Sequence, residues 1–438
     1  MVYTAPAVVI DNGSHTTKAG FASEDLPSLV FSSNYAVDSE GKVIVGDEEI
    51  SSRPDCKVMT LMDNGLIYNF ENITHNWEYI YKHMDNQNGV DPKEYPLMIT
   101  QHDWNTPKNK MATAQIAFET LQVPIFSLVK TPLVQLYHVG KSTGLVIDVG
   151  SSNATVTPIL DGIIQSKSSF SSKFAGDFAN LHALNYLQKY GGLDALLPKR
   201  FSSTKATESF KNYQISHYAL EDFKLSMLSV AEGAANQYQY PVTPKSYQLP
   251  NGSHVSVYRE QIDLMESLFQ PQLYQIPGVA IPEPAMDKPS THGIITLILS
   301  SLKTLEGSLA GEHQTPNKFG EVLRELCGNI LITGGSSLTT GFSQRILNDL
   351  YRSAGQLFAP QLQGRNITFG TLGNHHIGDI QDTWDRKFSA WKGATNLASM
   401  LNDYNGEADN LNIALENWFV TKSDYEEMGE DLILEKFK

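Results

Sequence analysis

Two segments of the chain carry residue types and spacings suited to gripping a polyphosphate. The first, Val8-Val9-Ile10-Asp11-Asn12-Gly13-Ser14, runs on through Lys18-Ala19-Gly20-Phe21. The second, Gly144-Leu145-Val146-Ile147-Asp148-Val149-Gly150-Ser151-Ser152, runs on through Thr155-Val156-Thr157-Pro158. In each, an Asp-x-Gly-Ser group lies between two apolar runs. Glycine lets the backbone turn tightly and expose its N–H groups, and serine hydroxyls add donors, so such a turn makes a concave anion site. The carboxylates of Asp11 and Asp148 stand at strand ends, where they could hold a hydrated metal ion. Two such hairpins facing each other would clamp a polyphosphate from both sides. Either alone is weak evidence, because Asn-Gly and Gly-Ser are ordinary turn dipeptides. The repeat is what adds weight.

A third element has related chemistry. Asn329-Ile330-Leu331-Ile332-Thr333 is a predicted strand, followed by Gly334-Gly335-Ser336-Ser337 and an amphipathic helix with Phe342, Ile346 and Leu350 spaced by four. A strand, a double glycine and a helix start present N–H groups to a phosphate or ribose. An ordinary strand-to-helix turn has the same composition. His375-His376 with Asp379 lacks spaced ligand partners and reads as loop surface rather than a metal site. No Gly-x-Ser-x-Gly elbow is present.

The elements that must position these groups are of mixed α/β type. The β-branched runs before Asp11 and Asp148 predict buried strands. Residues 33–66 read as a small lobe of turns and short strands, including Lys42-Val43-Ile44-Val45. Trp77–Met84 and Lys110–Leu121 predict helices, and Pro96–Thr100 a strand. Phe178–Tyr190 and Tyr218–Val230 predict helices of an inserted lobe. Gln272–Thr291, with Pro277, Pro282, Pro284 and Pro289, reads as a surface loop. Leu305–Asn317 reads as a second insertion, and the tail from Asp424 to Lys438 as a short surface helix. Strand–helix pairs around two related hairpins suggest duplicated α/β domains with a cleft between them.

Composition narrows the class. The chain has 438 residues, 41% of them hydrophobic, which fits one large bilobed unit or two to three average domains. No run of about eighteen apolar residues predicts a membrane span. Met1–Pro6 has no basic segment leading into an apolar core, so no signal peptide is expected. The two cysteines, Cys56 and Cys327, make neither a disulfide framework nor a metal pattern, and a reducing intracellular compartment is expected. On that expectation Asn72-Ile73-Thr74 and Asn366-Ile367-Thr368 are coincidental glycosylation matches. The net charge of −15, with no long Lys/Arg run, argues against direct DNA gripping and for protein partners. Acidity alone also favours solubility.

In order and spacing, these segments resemble the actin family. Ile10-Asp11-Asn12-Gly13-Ser14 with Lys18-Ala19-Gly20-Phe21 is similar to actin's opening segment. Phe118-Glu119-Thr120, Leu136-Tyr137, Phe269-Gln270-Pro271 and Trp391-Lys392-Gly393 follow in actin's order, so the likeness spans about residue 6 to the C-terminus. Asn12-Gly13-Ser14-His15 and Thr157–Gly162 look most like an actin-related protein of the fungal SWI/SNF and RSC chromatin remodelers. The resemblance implies an actin-like ATPase fold, with duplicated domains and four subdomains around a nucleotide cleft. Residues 1–138 plus 388–438 would form the small domain, with 33–66 as its reduced outer lobe. Residues 139–387 would form the large one, with about 175–272 inserted. The nucleotide-binding set it implies is Asp11, Asn12, Gly13, Ser14, Lys18, Asp148, Gly150, Ser151, Gly334, Gly335 and Ser336, holding ATP with magnesium in a structural role.

The departures from actin matter as much. The resemblance places actin's water-ordering glutamine at Thr131 and its histidine at Thr155, and a threonine hydroxyl is too short and too weak a base to replace either. Actin's Asp-x-Gly-Asp-Gly becomes Asp148-Val149-Gly150-Ser151-Ser152, losing a carboxylate and a glycine. The Lys-Glu pair of the purine pocket falls on Asp222-Phe223. The stretch from Phe31 to Asp47 is shorter than actin's mobile filament-contact loop. The expectation is a non-catalytic nuclear subunit of an ATP-dependent remodeler, acting in transcription regulation. It would pair with a second actin-related protein on the helicase/SANT-associated helix of a Snf2-type motor, among other remodeler subunits. The groove for that helix would be lined by Tyr137, His138, Gly140, Ser142, Gly162, Ile163, Leu397 and Met400. An active actin-superfamily ATPase and a dynactin-type cytoskeletal protein remain as alternatives.

Overall fold

Apolar β-branched runs become central strands because both their faces can be covered by helices. The computed structural model describes residues 5–202, 205–234, 242–285, 287–312, 318–362, 364–373, 380–402 and 415–438. The chain divides into two compact units, Met1–Gly140 with Phe388–Lys438, and Lys141–Lys387.

In the first unit, Val8–Asn12 lies inside a six-stranded sheet, antiparallel to Thr16–Phe21 and parallel to Leu97–Gln101. All five residues of Val8–Asn12 are buried. The helix Phe70–His83 extends the predicted Trp77–Met84 segment by two turns at its start, where the Asn69 side chain accepts the Asn72 N–H as an N-cap. The residues predicted as a small lobe form a three-stranded sheet of Asn34–Val37, Val43–Val45 and Lys57–Thr60. The helix Ser389–Ala398 crosses the helix Thr131–His138 at Gly393, where a Cβ would meet the Val134 carbonyl oxygen at 2.0 Å. Only glycine allows backbones to approach so closely.

The second unit is built on Gly144–Val149, which pairs antiparallel with Ala154–Leu160 and parallel with Ile330–Thr333. Its helices Gly176–Leu187, Leu220–Met227, Ile294–Glu312 and Phe342–Leu357 surround a core that includes Ile147, Phe223, Leu302 and Ile346. Arg345 is buried there. It donates from Nη1 and Nη2 to the two oxygens of Glu266 at 2.7 and 2.8 Å, and stacks its guanidinium on the Phe269 ring.

Two expectations fail. The tail is not one surface helix. Lys422–Met428 and Glu430–Lys436 meet at Gly429, and Tyr425, Ile433 and Phe437 are buried in the first unit's core. Acidic residues masked an apolar set spaced by eight and four. Leu305 does not open an insertion either, because residues 305–312 continue the helix Ile294–Glu312, with Leu302 and Leu305 fully buried. Gly307 and Gly311 suggested a break, and packing overrode that propensity. His375, His376, Asp379 and residues 313–317 lie outside the described residues.

Candidate functional site

The first hairpin is held by pairing across its strands. Asp11 lies opposite Lys18 in register, and the Lys18 ammonium bonds its Oδ2 at 3.0 Å. Thr100, from the neighbouring parallel strand, donates its hydroxyl to Asp11 Oδ1 at 2.6 Å. Burial alone would push the Asp11 carboxyl up. The Lys18 ammonium, the Thr100 hydroxyl and the charge of His102 outweigh it and hold the group below its ordinary value. Asn12 turns away from the loop. Its amide donates to Thr17 Oγ1 at 3.1 Å, and its Oδ1 accepts the Trp77 indole N–H at 3.1 Å. A Cβ on Gly13 would stand 2.9 Å from Lys18 Nζ, so glycine keeps the turn clear of the cation. Ser14 sits half-buried in the turn, and Ser33 ties it down by donating to the Gly13 carbonyl at 2.6 Å. Buried nearby in the strand order, Gln101 Nε2 has no hydrogen-bond partner. A cation, a glycine turn and a carboxylate in this arrangement suit a phosphate and its metal.

The second hairpin has the same frame and different partners. Asp148 lies opposite Thr155 on one side and beside Thr333 on the other. The Gly150 N–H is engaged by Asn153 O at 2.9 Å. Ser151 donates its hydroxyl to Asp177 Oδ1 at 2.6 Å, while the Asp177 and Gly176 N–H groups donate to the Ser151 and Gly150 carbonyls at 2.8 and 3.1 Å. Ser336 also donates to Gly150 O, at 2.8 Å. Thus Gly150, Ser151, Gly334, Gly335 and Ser336 do come together with Asp148 in one unit. Gly334 has φ 89° and ψ 151°, a conformation essentially reserved for glycine, and Arg386 donates to the carbonyl of Ser337 at the end of its turn. Thr131 is buried as the first residue of its helix, and Thr155 is buried in its strand. Phe223 is fully buried in the core, and Asp222 accepts the Tyr247 hydroxyl at 2.9 Å.

The groove residues sort differently within each unit. In the first, Leu397 is buried in the core beside Trp391 and Val134, so it packs rather than faces solvent. Met400 packs on the same cluster from outside and lines a cavity of about 360 Å³ with Pro6, Ala22, Ser23, Asn396, Ser399 and Asn402. Tyr137 and His138 are half-buried, Gly140 is exposed at φ 70°, and Asn396 contacts His138 at 3.1 Å. In the second, Asp161 and Gly162 have φ 49° and 78°, a turn that lifts Ile163 to 66% exposure, and Ser142 is exposed.

Thr100, Asp177 and Arg386 were not anticipated. Thr100 had a signal, a polar residue closing an apolar strand. Asp177 had none, since nothing local ties it to Ser151. Among the described residues no group of three or more His, Cys, Asp or Glu side chains gathers to hold a metal, and no helix is long and apolar enough to cross a membrane.

Two related hairpins and a glycine turn, each closing a parallel sheet strand, define an actin-like ATPase fold. The actin family model, described as Actin, matches residues 3–438, and the chain belongs to that family. It is 27% identical to Actin-related protein 4 of Yarrowia lipolytica, over 100% of this chain and 99% of that protein. Over 98% of this chain and 97% of the relative, it is 27% identical to "SWI/SNF and RSC complexes subunit arp42" of Schizosaccharomyces pombe. Actin-related protein 7 of Saccharomyces cerevisiae matches at 28%, over 98% of each.

Proposed function

We propose that this chain is a non-catalytic actin-related subunit of an ATP-dependent chromatin-remodelling complex in the nucleus. The observation that carries this reading is full-length likeness to a protein named as a SWI/SNF and RSC complexes subunit. Within the complex it pairs with a second actin-related protein on the helicase/SANT-associated helix of a Snf2-type motor. Its two units correspond to the small and large actin-like domains. On the first unit the partner helix contacts the surface around Met400, with Tyr137, His138 and Gly140; on the second unit, taken by itself, Ser142, Gly162 and Ile163 are the proposed contacts. The exposed Ile163 and the open cavity at Met400 support this choice. Leu397 supports Met400 from within.

Nucleotide, where it binds, has a structural role. Asp11, Gly13, Ser14 and Lys18 would hold phosphate and magnesium, and Gly334, Gly335 and Ser336 the nucleoside side. Thr131 and Thr155 supply no base for an attacking water, and Ser151 supplies no second carboxylate.

Affinity purification of the full chain with mass spectrometry tests the assembly. Recovery of a Snf2-type motor and a second actin-related protein is expected, and their absence refutes the reading. Met400→Asp places a charge in a desolvated contact and should weaken pull-down of the motor's helical segment by about 2–4 kcal/mol, with Lys18→Ala retaining it. Normal binding by Met400→Asp refutes the docking surface, and steady phosphate release by the isolated chain refutes the non-catalytic role.

A further inference from the structure

We propose that Asp177 is a built-in competitor for phosphate at the second hairpin, a carboxylate that selects against polyphosphate there; this rests on the nucleotide reading above. The geometry is that of a closed circuit. The Ser151 hydroxyl, the donor that the turn would offer a phosphoryl oxygen, is engaged by Asp177 Oδ1 at 2.6 Å. The helix Gly176–Leu187 starts against the same turn. Helix N-termini ordinarily present their first N–H groups to anions. Here those of Gly176 and Asp177 point at the carbonyls of Gly150 and Ser151 instead. The approach is close, because a Cβ on Gly176 would lie 2.5 Å from Ser336 Oγ and 3.0 Å from the Gly150 oxygen. Helix start, hairpin turn and Gly334–Ser337 turn therefore form one packed junction.

Asp177 itself is exposed, at the outer edge of that junction. An anion arriving at Ser151 must break the hydroxyl–carboxylate bond and then lie beside a like charge. Like charges a few ångströms apart repel, by an amount that grows with the ligand's charge and is screened by salt. The penalty therefore falls on the phosphates and spares the nucleoside. The same carboxylate suits the first turn of its helix, where negative charge complements the macrodipole. One side chain thus stabilises the fold and discourages the ligand.

The test uses the full chain and Asp177→Asn, which keeps an acceptor for Ser151 but removes the charge. Binding of ATP, ADP and adenosine, each with magnesium, is measured by calorimetry at low and moderate salt. The expected result is ATP bound about tenfold more tightly by Asp177→Asn, a smaller gain for ADP, none for adenosine, and a gap that narrows as salt rises. Equal ATP affinity in both proteins, an equal gain for adenosine, or weaker ATP binding by Asp177→Asn (as expected if Asp177 helps hold the metal) overturns the proposal while leaving the nucleotide reading intact. No nucleotide binding by either protein refutes that reading, and the proposal with it. A melting curve within a few degrees of the parent's confirms that Asp177→Asn is folded.

Discussion

Gly334→Ala and Gly335→Ala differ by one position and should differ sharply in consequence. Gly334 has φ 89° and ψ 151°. A side chain in that region costs about 1–3 kcal/mol of backbone strain. The added Cβ would lie 2.3 Å from Asp148 Oδ1 and 2.5 Å from the Val149 carbonyl oxygen, and the second of these belongs to a central strand that cannot swing aside. Overpacking of this kind adds about 1–3 kcal/mol. Together the two terms give about 2–6 kcal/mol, a large part of the roughly 5–15 kcal/mol that holds a domain folded. At about 2–4 °C per kcal/mol for a unit of this size, the melting temperature should fall by at least about 4 °C. At Gly335 a Cβ meets nothing within 4 Å, and φ is not in the left-handed region. Gly335→Ala should therefore change stability by less than about 0.5 kcal/mol. Thermal unfolding of both variants, followed by circular dichroism, decides the matter. Equal losses, or a Gly334→Ala protein that melts with the parent, would show that the turn is not wedged against Asp148 as argued.

Removing the buried guanidinium with Arg345→Leu strands the Glu266 carboxylate, whose side chain is 0% exposed, and should cost about 3–5 kcal/mol in urea unfolding. Replacing both partners by methionine should recover most of that loss, and a double variant as weak as the single one would show that packing rather than charge is at stake. His182 gives a pH signature. Burial pushes its imidazole down to about 4 from an ordinary value of 6.5, so the unfolded chain binds more protons between those values and stability rises with pH across that window. This contribution is full above about pH 6.5 and is lost as pH falls toward 4, about 3 kcal/mol in all. His182→Gln should flatten the slope of unfolding free energy between pH 5 and 6.5, and an unchanged slope would assign it to other groups.

The strand-and-glycine frame was legible because it is local. Each buried run before Asp11, Asp148 and Gly334 announces its strand by β-branched composition, and each glycine announces its turn. The two overturned elements were read from features that packing overrides. Gly307 and Gly311 sit inside a helix whose Leu302 and Leu305 are fully buried, and the acidic tail hides Tyr425, Ile433 and Phe437. At the candidate site the backbone was legible and the side-chain partners were not. Asn12 reads as a loop amide, yet Trp77, sixty-five positions away, turns it inward. Such long-range partners leave no trace in the spacing of a motif.

This limit bears directly on function, because the two hairpins share a pattern and differ in electrostatics. Asp11 is answered by a cation, Lys18, and a hydroxyl, Thr100, so its turn combines a carboxylate for a metal with a charge for a phosphate. At the second turn the corresponding serine is answered by another carboxylate, and Thr155 offers no charge opposite Asp148. Motif repetition alone would assign both hairpins the same task. The partners differ: a cation and a hydroxyl at the first, and at the second the Asp177 carboxylate, which on our proposal competes with phosphate. On the proposed reading, an actin-family chain arranged in this way keeps its scaffold for a partner protein, with Thr131, Thr155 and Ser151 where hydrolysis would call for a base, a second carboxylate and an open donor.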